Sequence, residues 1–324
     1  MSKVDQMRNT LVRQNLVIML AIVVAVATVL TRGLFLQPGN LLVVAARASV
    51  VGLLALGQSL VIISGGFDLS VGSLLLVTIT LIATFKSPIG LLTASLLGIA
   101  SATFFGLLSG LMVAQLLLPP FIVTLGMMSI VRSVAWMTIA GKDIRVYEYK
   151  ATIGPIFDFF TQGTTLFPII VFLLASVCMG VFLHRSKIGR YIFAVGANER
   201  TAIVSGVPVK RVKILVYMIS GLLSGVAAIT YLYRVAAATP GAGEEFLLPS
   251  LAGPIVGGVY LYGGEGTIPG VVVGVLILEI IRNLLTVAGF PPLAHKAILG
   301  AIIVVIALFQ QWARRSDQRS EVWR

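Results

Sequence analysis

The chain has 324 residues, 58% hydrophobic and only 11% charged, against roughly 25% charged in an ordinary soluble domain. That balance excludes the two soluble domains that length alone would suggest and points to one integral membrane domain. The formal net charge of +12 does not indicate nucleic acid, because Lys and Arg cluster in short segments between apolar runs, which is how membrane topology is written.

A spanning helix needs about 20 mainly apolar residues. The basic segment Met1–Arg13 precedes a first run, Leu16–Thr31. Ala25-Val26-Ala27 mimics a signal-peptide cleavage site, but the run continues past it and many others follow, so an uncleaved first helix is expected. The turn Gln37-Pro38-Gly39-Asn40 leads to a second run, Leu41–Ser64, with Arg47 near its start. The third, Leu69–Phe85, is expected to stop at Lys86-Ser87-Pro88, and the fourth spans Ile89–Leu118. Gly90, Gly98, Gly106 and Gly110 are small enough to let neighbouring helices approach. The fifth run, Phe121–Ala140, holds Thr124, Gly126, Ser129 and Arg132, too polar to face lipid all round, and is placed inside the bundle. Gly141–Gly163 is polar, with aromatic residues suited to an interface.

The sixth run is Thr164–Leu183, and the most basic internal segment, His184–Lys213, follows. The seventh is Ile214–Tyr233. Ala236–Pro249 reads as a loop carrying Glu244 and Glu245, and the eighth run, Ser250–Tyr262, is short and broken by Pro254, Gly257 and Gly258. Thr267–Val287 is the ninth, with Glu279 and Arg282 at i, i+3 spacing that suits an ion pair. Leu293–Trp312 is the tenth. The expected fold is therefore all-α and polytopic, with about ten transmembrane helices. An even count puts both termini on one side, and the basic N-terminus, the segment 184–213 and the basic tail make that side cytoplasmic. Residues 1–15 form a cytoplasmic segment, 16–312 the membrane domain and 313–324 a cytoplasmic tail.

No catalytic constellation is present. His184 and His295 lie at the ends of different runs, Cys178 is the single cysteine, and no phosphate-binding loop occurs, so the chain is not read as an enzyme. Two segments stand out. In Ser64–Ser73, glycines, hydroxyls and one carboxylate interrupt almost pure Leu, Ile and Val. Gly65, Gly66, Asp68, Ser70, Gly72 and Ser73 are the candidates for a translocation path or gate; Asp68 either caps the third helix or lines the path. The span count sets Asp68 toward the cytoplasmic side. Gly263-Gly264 and Gly270 repeat the spacing of Gly65-Gly66 and Gly72. In the second segment, Asn198 is a good N-cap, Glu199 suits a helix N-terminus, Thr201 follows, and Gly206 with Pro208 is a stop. The result is a helix of about two turns outside the bilayer. Its apolar side, Ala202 and Ile203, either enters a partner's groove or rests on lipid.

Ser64-Gly65-Gly66-Phe67-Asp68-Leu69-Ser70-Val71-Gly72-Ser73 resembles the S/T-G-G-I-D-L-S-V-G-S signature of the ribose-type monosaccharide permeases of ABC importers. Gly189 through Gly206 is similar to that family's cytoplasmic segment, and Gly257-Gly258 with Gly263-Gly264 and Gly266 to its glycine pattern. The resemblance implies a bacterial inner-membrane permease subunit for a monosaccharide or similar small polar solute. It implies a second permease subunit, like or unlike, a cytoplasmic ATPase that carries ATP-Mg, and an extracytoplasmic solute-binding protein; this chain itself would hold no cofactor. Asn198, Glu199, Arg200, Thr201, Ala202 and Gly206 would form the helix that couples to the ATPase. Two departures stand out. Phe67 replaces the usual Ile, and Leu247, Leu248 and Pro249 stand where the family has Glu-Leu-Asp. Alternatives are a stand-alone ion-coupled secondary carrier, or the same architecture carrying a nucleoside or a sugar-derived signal.

Overall fold

The computed structural model describes residues 3–157 and 166–321. Its order is α1 (Lys3–Leu30), α2 (Pro38–Ile63), α3 (Val71–Ile89), α4 (Leu91–Gln115), α5 (Pro120–Thr138), β1 (Ile144–Arg145), α6 (Glu148–Phe157), α7 (Leu166–Arg185), α8 (Lys187–Ala197), α9 (Glu199–Val204), α10 (Val209–Val235), β2 (Ala237–Ala238), α11 (Glu244–Val256), α12 (Ile268–Val287) and α13 (Pro292–Glu321). Among the described residues, seven helices are long and apolar enough to cross a membrane: α2, α3, α4, α5, α7, α10 and α12. Leu16–Leu30 in α1 and Leu293–Leu308 in α13 are shorter apolar stretches. The chain is an all-α polytopic membrane protein.

The centre is built on α10, which packs against α4, α2 and α3. Small residues explain that placement. A Cβ on Gly106 would lie 2.5 Å from the Tyr217 carbonyl oxygen, and one on Gly221 would lie 2.3 Å from that of Ala102, so α4 and α10 touch backbone to backbone. Gly90, in contrast, faces open space and separates α3 from α4 with φ +81°. The apolar windows of α2, α3 and α10 are each 61% buried, those of α5 and α7 only 28% and 17%.

This corrects the placement of the fifth run inside the bundle. Only Val123, Thr124, Met127, Val131 and Ala135 of α5 are buried, a single helical stripe laid on α3, while Ser129 and Ser133 are exposed. Other boundaries shift as well. α3 runs through Lys86, Ser87 and Pro88, because a proline in the last turn removes only one terminal bond. α4 ends at Gln115 rather than Leu118. The eighth run begins at Glu244 and ends at Val256, so Glu244 and Glu245 open a helix instead of lying in a loop, with Pro249 and Pro254 inside it. α10 starts at Val209, five residues before the expected Ile214. The polar N-terminal and C-terminal segments continue α1 and α13 as helix. Within Gly141–Gly163, β1 pairs antiparallel with β2 (Ile144 opposite Ala238), and α6 follows. The aromatic residues Phe159 and Phe160 lie outside the described residues.

The ladder and α9 mark opposite ends of the bundle, since α10 begins beside α9 and runs directly into β2.

Candidate functional site

Ser64–Ser73 is the break between α2 and α3. α2 ends at the α9 end of the bundle, and the chain then turns back inward. Gly65 takes φ +84°, a conformation glycine adopts at little cost. Asp68 is fully buried. Its Oδ1 accepts from the Ser70 N–H (2.9 Å) and the Ser70 hydroxyl (2.5 Å), and its Oδ2 accepts from the Ser220 hydroxyl of α10 (2.8 Å). In the amide orientation that satisfies both partners, Gln58 donates to the Asp68 carbonyl (3.0 Å) and accepts from its N–H (3.3 Å). The Tyr217 hydroxyl donates to the Phe67 carbonyl (3.1 Å). Ser220 stands about 16 Å along α10 from its start, in the half of that helix nearer α9. Asp68 thus satisfies the break and ties it to α10; the N-cap of α3 is Ser70, without a side-chain cap bond.

The residues expected to act together divide. Gly65 and Gly66 lie toward the α9 end. Asp68 and Ser70 are buried against α10. Gly72 and Ser73, with Leu69 and Leu76, line a cavity of ≈ 280 Å³. Its other walls are Met128 and Arg132 of α5, residues 242–244 and Leu247 and Leu248 around the start of α11, and Lys296 of α13. The approach of α3 to α11 is close. A Cβ on Gly72 would stand 2.5 Å from the Gly243 carbonyl oxygen, and one on Gly243 2.1 Å from that of Gly72. Arg132 forms an ion pair with Glu244 across the cavity, so it has a partner from another helix.

A charge cluster joins α2, α11 and α12 around the buried Glu279. Arg47 of α2 meets Glu279 of α12 at 3.0 Å and Glu245 of α11 at 2.7 Å, and Arg282 reaches Glu245 at 3.1 Å. Glu279 is 2% exposed. The Arg47 guanidinium also stands over the Phe246 ring, 5.6 Å from its centre. The i, i+3 pair expected between Glu279 and Arg282 does not form: each takes a partner from another helix. Asn283 faces Asn40, with amide contacts of 2.8 and 3.1 Å. Arg47 was visible in the sequence as a cation inside an apolar run, but its partners lie some two hundred residues away.

At the other end, α8 and α9 form an elbow. The Ser186 hydroxyl caps α8 by accepting from the Gly189 N–H (2.9 Å), and Ile192 and Val195 are buried. The spacing of Gly189, Ile192 and Val195 was a helical signal that the sequence reading passed over. Asn198 caps α9 by accepting from the Thr201 N–H (2.9 Å), as expected. Gly206, with φ +75°, ends it, its N–H bonding the Ile203 carbonyl while Val207 bonds that of Ala202. Glu199 bonds Lys213 at 2.7 Å, and Arg200 is exposed. One expectation is corrected. Ala202 is buried against this chain, and the free apolar surface consists of Ile203 and Val204, 57% and 84% exposed. Ala202, 3% exposed, anchors α9 to the rest of the chain.

Three backbone segments meet where α8 ends. The Gly264 N–H donates to the Ile63 carbonyl (2.8 Å), and Cβ atoms on Gly263 would lie 3.0 Å from both Gly65 and Gly196. The two glycine pairs of matching spacing are therefore in contact. Among the described residues no group of three or more His, Cys, Asp or Glu can hold a metal.

The structure is thus a helical membrane bundle with a polar helix break and a cavity between α3, α5 and α11. The chain belongs to the family described as branched-chain amino acid transport system / permease component, whose model matches residues 40–307. Within it the chain falls among the ribose-type sugar permeases of ABC importers. It is 33% identical to a ribose import permease of Bacillus subtilis over 283 residues, 86% of each chain. It is 30% identical to a fructose import permease of Rhizobium meliloti, covering 89% of this chain and 82% of that one. An L-arabinose ABC transporter permease of Azospirillum brasilense is 31% identical, covering 96% and 91%. No solved structure matches. Membership makes this a multi-pass bacterial inner-membrane protein and implies partners such as an ATPase and a binding protein.

Proposed function

We propose that this chain is the membrane subunit of an ATP-driven importer that passes a monosaccharide or similar small polar solute. Ten crossings, N-in and C-in, come from the seven long helices, the apolar parts of α1 and α13, and α11. At 13 residues, α11 is about 20 Å long and needs the non-helical residues after it to complete a crossing. The basic elbow 184–213 then faces the cytoplasm with both termini.

The observation that carries the reading is the elbow itself. α9 is capped at both ends, pinned by Ala202, and presents Ile203 and Val204 outward, as a knob for a partner's groove. Asn198, Glu199, Arg200 and Thr201 shape its leading end. A separate ATPase would push this knob, and a binding protein would deliver solute at the opposite end. The family resemblance also calls for a second permease subunit, like or unlike, beside this one. The buried acids also count against an ion-coupled carrier, since Asp68 accepts from the Ser70 and Ser220 hydroxyls and Glu279 is paired with Arg47. Purification with the ATPase in lipid should yield ATP hydrolysis stimulated by the binding protein. Uptake by this chain alone, driven by an ion gradient, would sink the proposal.

A further inference from the structure

Arg132, Glu244 and Lys296 come from three different helices to one cavity. Ionisable groups inside spanning segments are costly against lipid and face either one another or water. Here the side chains of Arg132 and Glu244 remain 40% and 49% exposed even while paired, so the rest of this chain does not bury them. Their hydrogen-bonding capacities are complementary. Guanidinium and ammonium only donate, a carboxylate only accepts, and the Ser73 hydroxyl does both. Leu69, Leu76, Met128, Leu247 and Leu248 supply an apolar wall beside them.

That combination selects a ligand chemistry. An anion would meet Arg132 and Lys296 but be repelled by Glu244, and a cation would meet the reverse. A neutral molecule with adjacent hydroxyls suits both members of the pair: one hydroxyl accepts from the guanidinium, its neighbour donates to the carboxylate, and the C–H face lies on the leucines. A planar guanidinium fork beside a carboxylate has the spacing for such a pair. We propose that Arg132 and Glu244 are the solute-contacting pair of this permease, holding two adjacent hydroxyls of a neutral polyol in the cavity between α3, α5 and α11. The solute would replace the contact that the two side chains make with each other. The inference rests on the transport reading and names the site within it.

The test uses the full chain in its transport complex, with Cys178→Ser removing the single native thiol and Leu248→Cys placing a reporter on the cavity wall. Labelling by a water-soluble thiol reagent is measured against increasing D-ribose, D-fructose or L-arabinose. At least one sugar should slow labelling, and Arg132→Gln or Glu244→Gln should raise the half-protecting concentration at least about tenfold. A deoxy sugar lacking the hydroxyl that donates to Glu244 should protect the parent poorly, and its disadvantage against the complete sugar should shrink in Glu244→Gln, whose neutral carbonyl accepts more weakly. A purely structural role would weaken both sugars equally. The proposal is overturned by absence of protection by all three sugars, by protection that the two variants leave unchanged, or by stronger protection from gluconate. A reporter at Met128→Cys repeats the measurement on the opposite wall. ATP-driven uptake by the unmodified complex tests the transport reading separately.

Discussion

Replacing Gly196 by alanine probes the place where α8 meets the rest of the bundle. The new Cβ would stand 1.7 Å from the Ile63 carbonyl oxygen and 2.6 Å from the Gly264 nitrogen. Both are backbone atoms, so no side chain can swing aside. The Ile63 carbonyl has to retreat by about 1.3 Å to reach even the 3.0 Å limit of real Cβ contacts. That retreat breaks the 2.8 Å bond from the Gly264 N–H, leaving a donor and an acceptor unsatisfied at a cost of about 1–3 kcal/mol. Overpacking adds about 1–3 kcal/mol. Alanine recovers about 1 kcal/mol of helix propensity, because Gly196 lies within α8. The steric and hydrogen-bond terms win, and the variant is destabilised by roughly 1–5 kcal/mol. Thermal unfolding of the purified chain in detergent reads this directly. Gly126→Ala is the matched control: it lies in α5 with nothing within 4 Å of its Cβ, so it should melt at or slightly above the parent. A Gly196→Ala chain that melts with its control would refute the three-backbone junction.

Arg47→Met leaves Glu279, 2% exposed, without its nearest cation, and should lower stability by about 3–5 kcal/mol in the same melt. The double variant Arg47→Met, Glu279→Leu should recover most of that loss, and failure to recover would show that the pair is not the stabilising unit. Asp68→Asn keeps one carbonyl oxygen for Ser70 and turns the Ser220 contact around, costing about 1 kcal/mol, whereas Asp68→Ala strands three donors and should cost roughly three times as much. Full stability with lost uptake in Asp68→Asn would move Asp68 from the joint to the path. Burial raises the pKa of Glu148, but its hydrogen bond to Lys86 and that group's charge outweigh the effect, and the carboxyl titrates below its ordinary 4.5. A depressed carboxylate stabilises above the unfolded value and loses that contribution as pH falls through the folded one. With Glu148 45% exposed, Glu148→Gln should cost less than about 1 kcal/mol at neutral pH and nothing in strong acid.

Much of the bundle was legible because lipid demands long apolar helices and glycine and proline punctuate them. The break at Ser64–Ser73 was legible for the same reason: a buried Asp among leucines needs partners, and Ser70 was close enough in sequence to be one. Ser220 and Gln58 were not. The start of α11 was misread because Glu244 and Glu245 look like loop residues until Arg132, Arg47 and Arg282 arrive from three other helices. Local propensity carries no record of those partners, and the i, i+3 spacing of Glu279 and Arg282 even suggested a wrong one. The placement of α5 failed in a related way. Polarity correctly said that lipid was not its only neighbour, but the alternative was a cavity and an open outer face, not the centre of this chain.

The same ten-residue stretch touches both halves of the proposed mechanism. At one end Gly65 lies against the glycine junction that holds α8, and through α8 the exposed knob of α9. At the other end Gly72 and Ser73 form a wall of the cavity, with Gly72 set backbone to backbone on Gly243 and so on the helix that carries Glu244. Between them the chain is non-helical, with no ladder of its own, and its fixed point is Asp68 bonded to α10. On the proposed coupling, a displacement of α9 would reach the junction through the end of α8, where Gly196 packs directly on the Ile63 and Gly264 backbone. Asp68 would then act as the pivot that decides how much of the movement becomes a tilt of α3, and a tilt of α3 against α11 would alter the Arg132–Glu244 contact without any group in the cavity changing its charge.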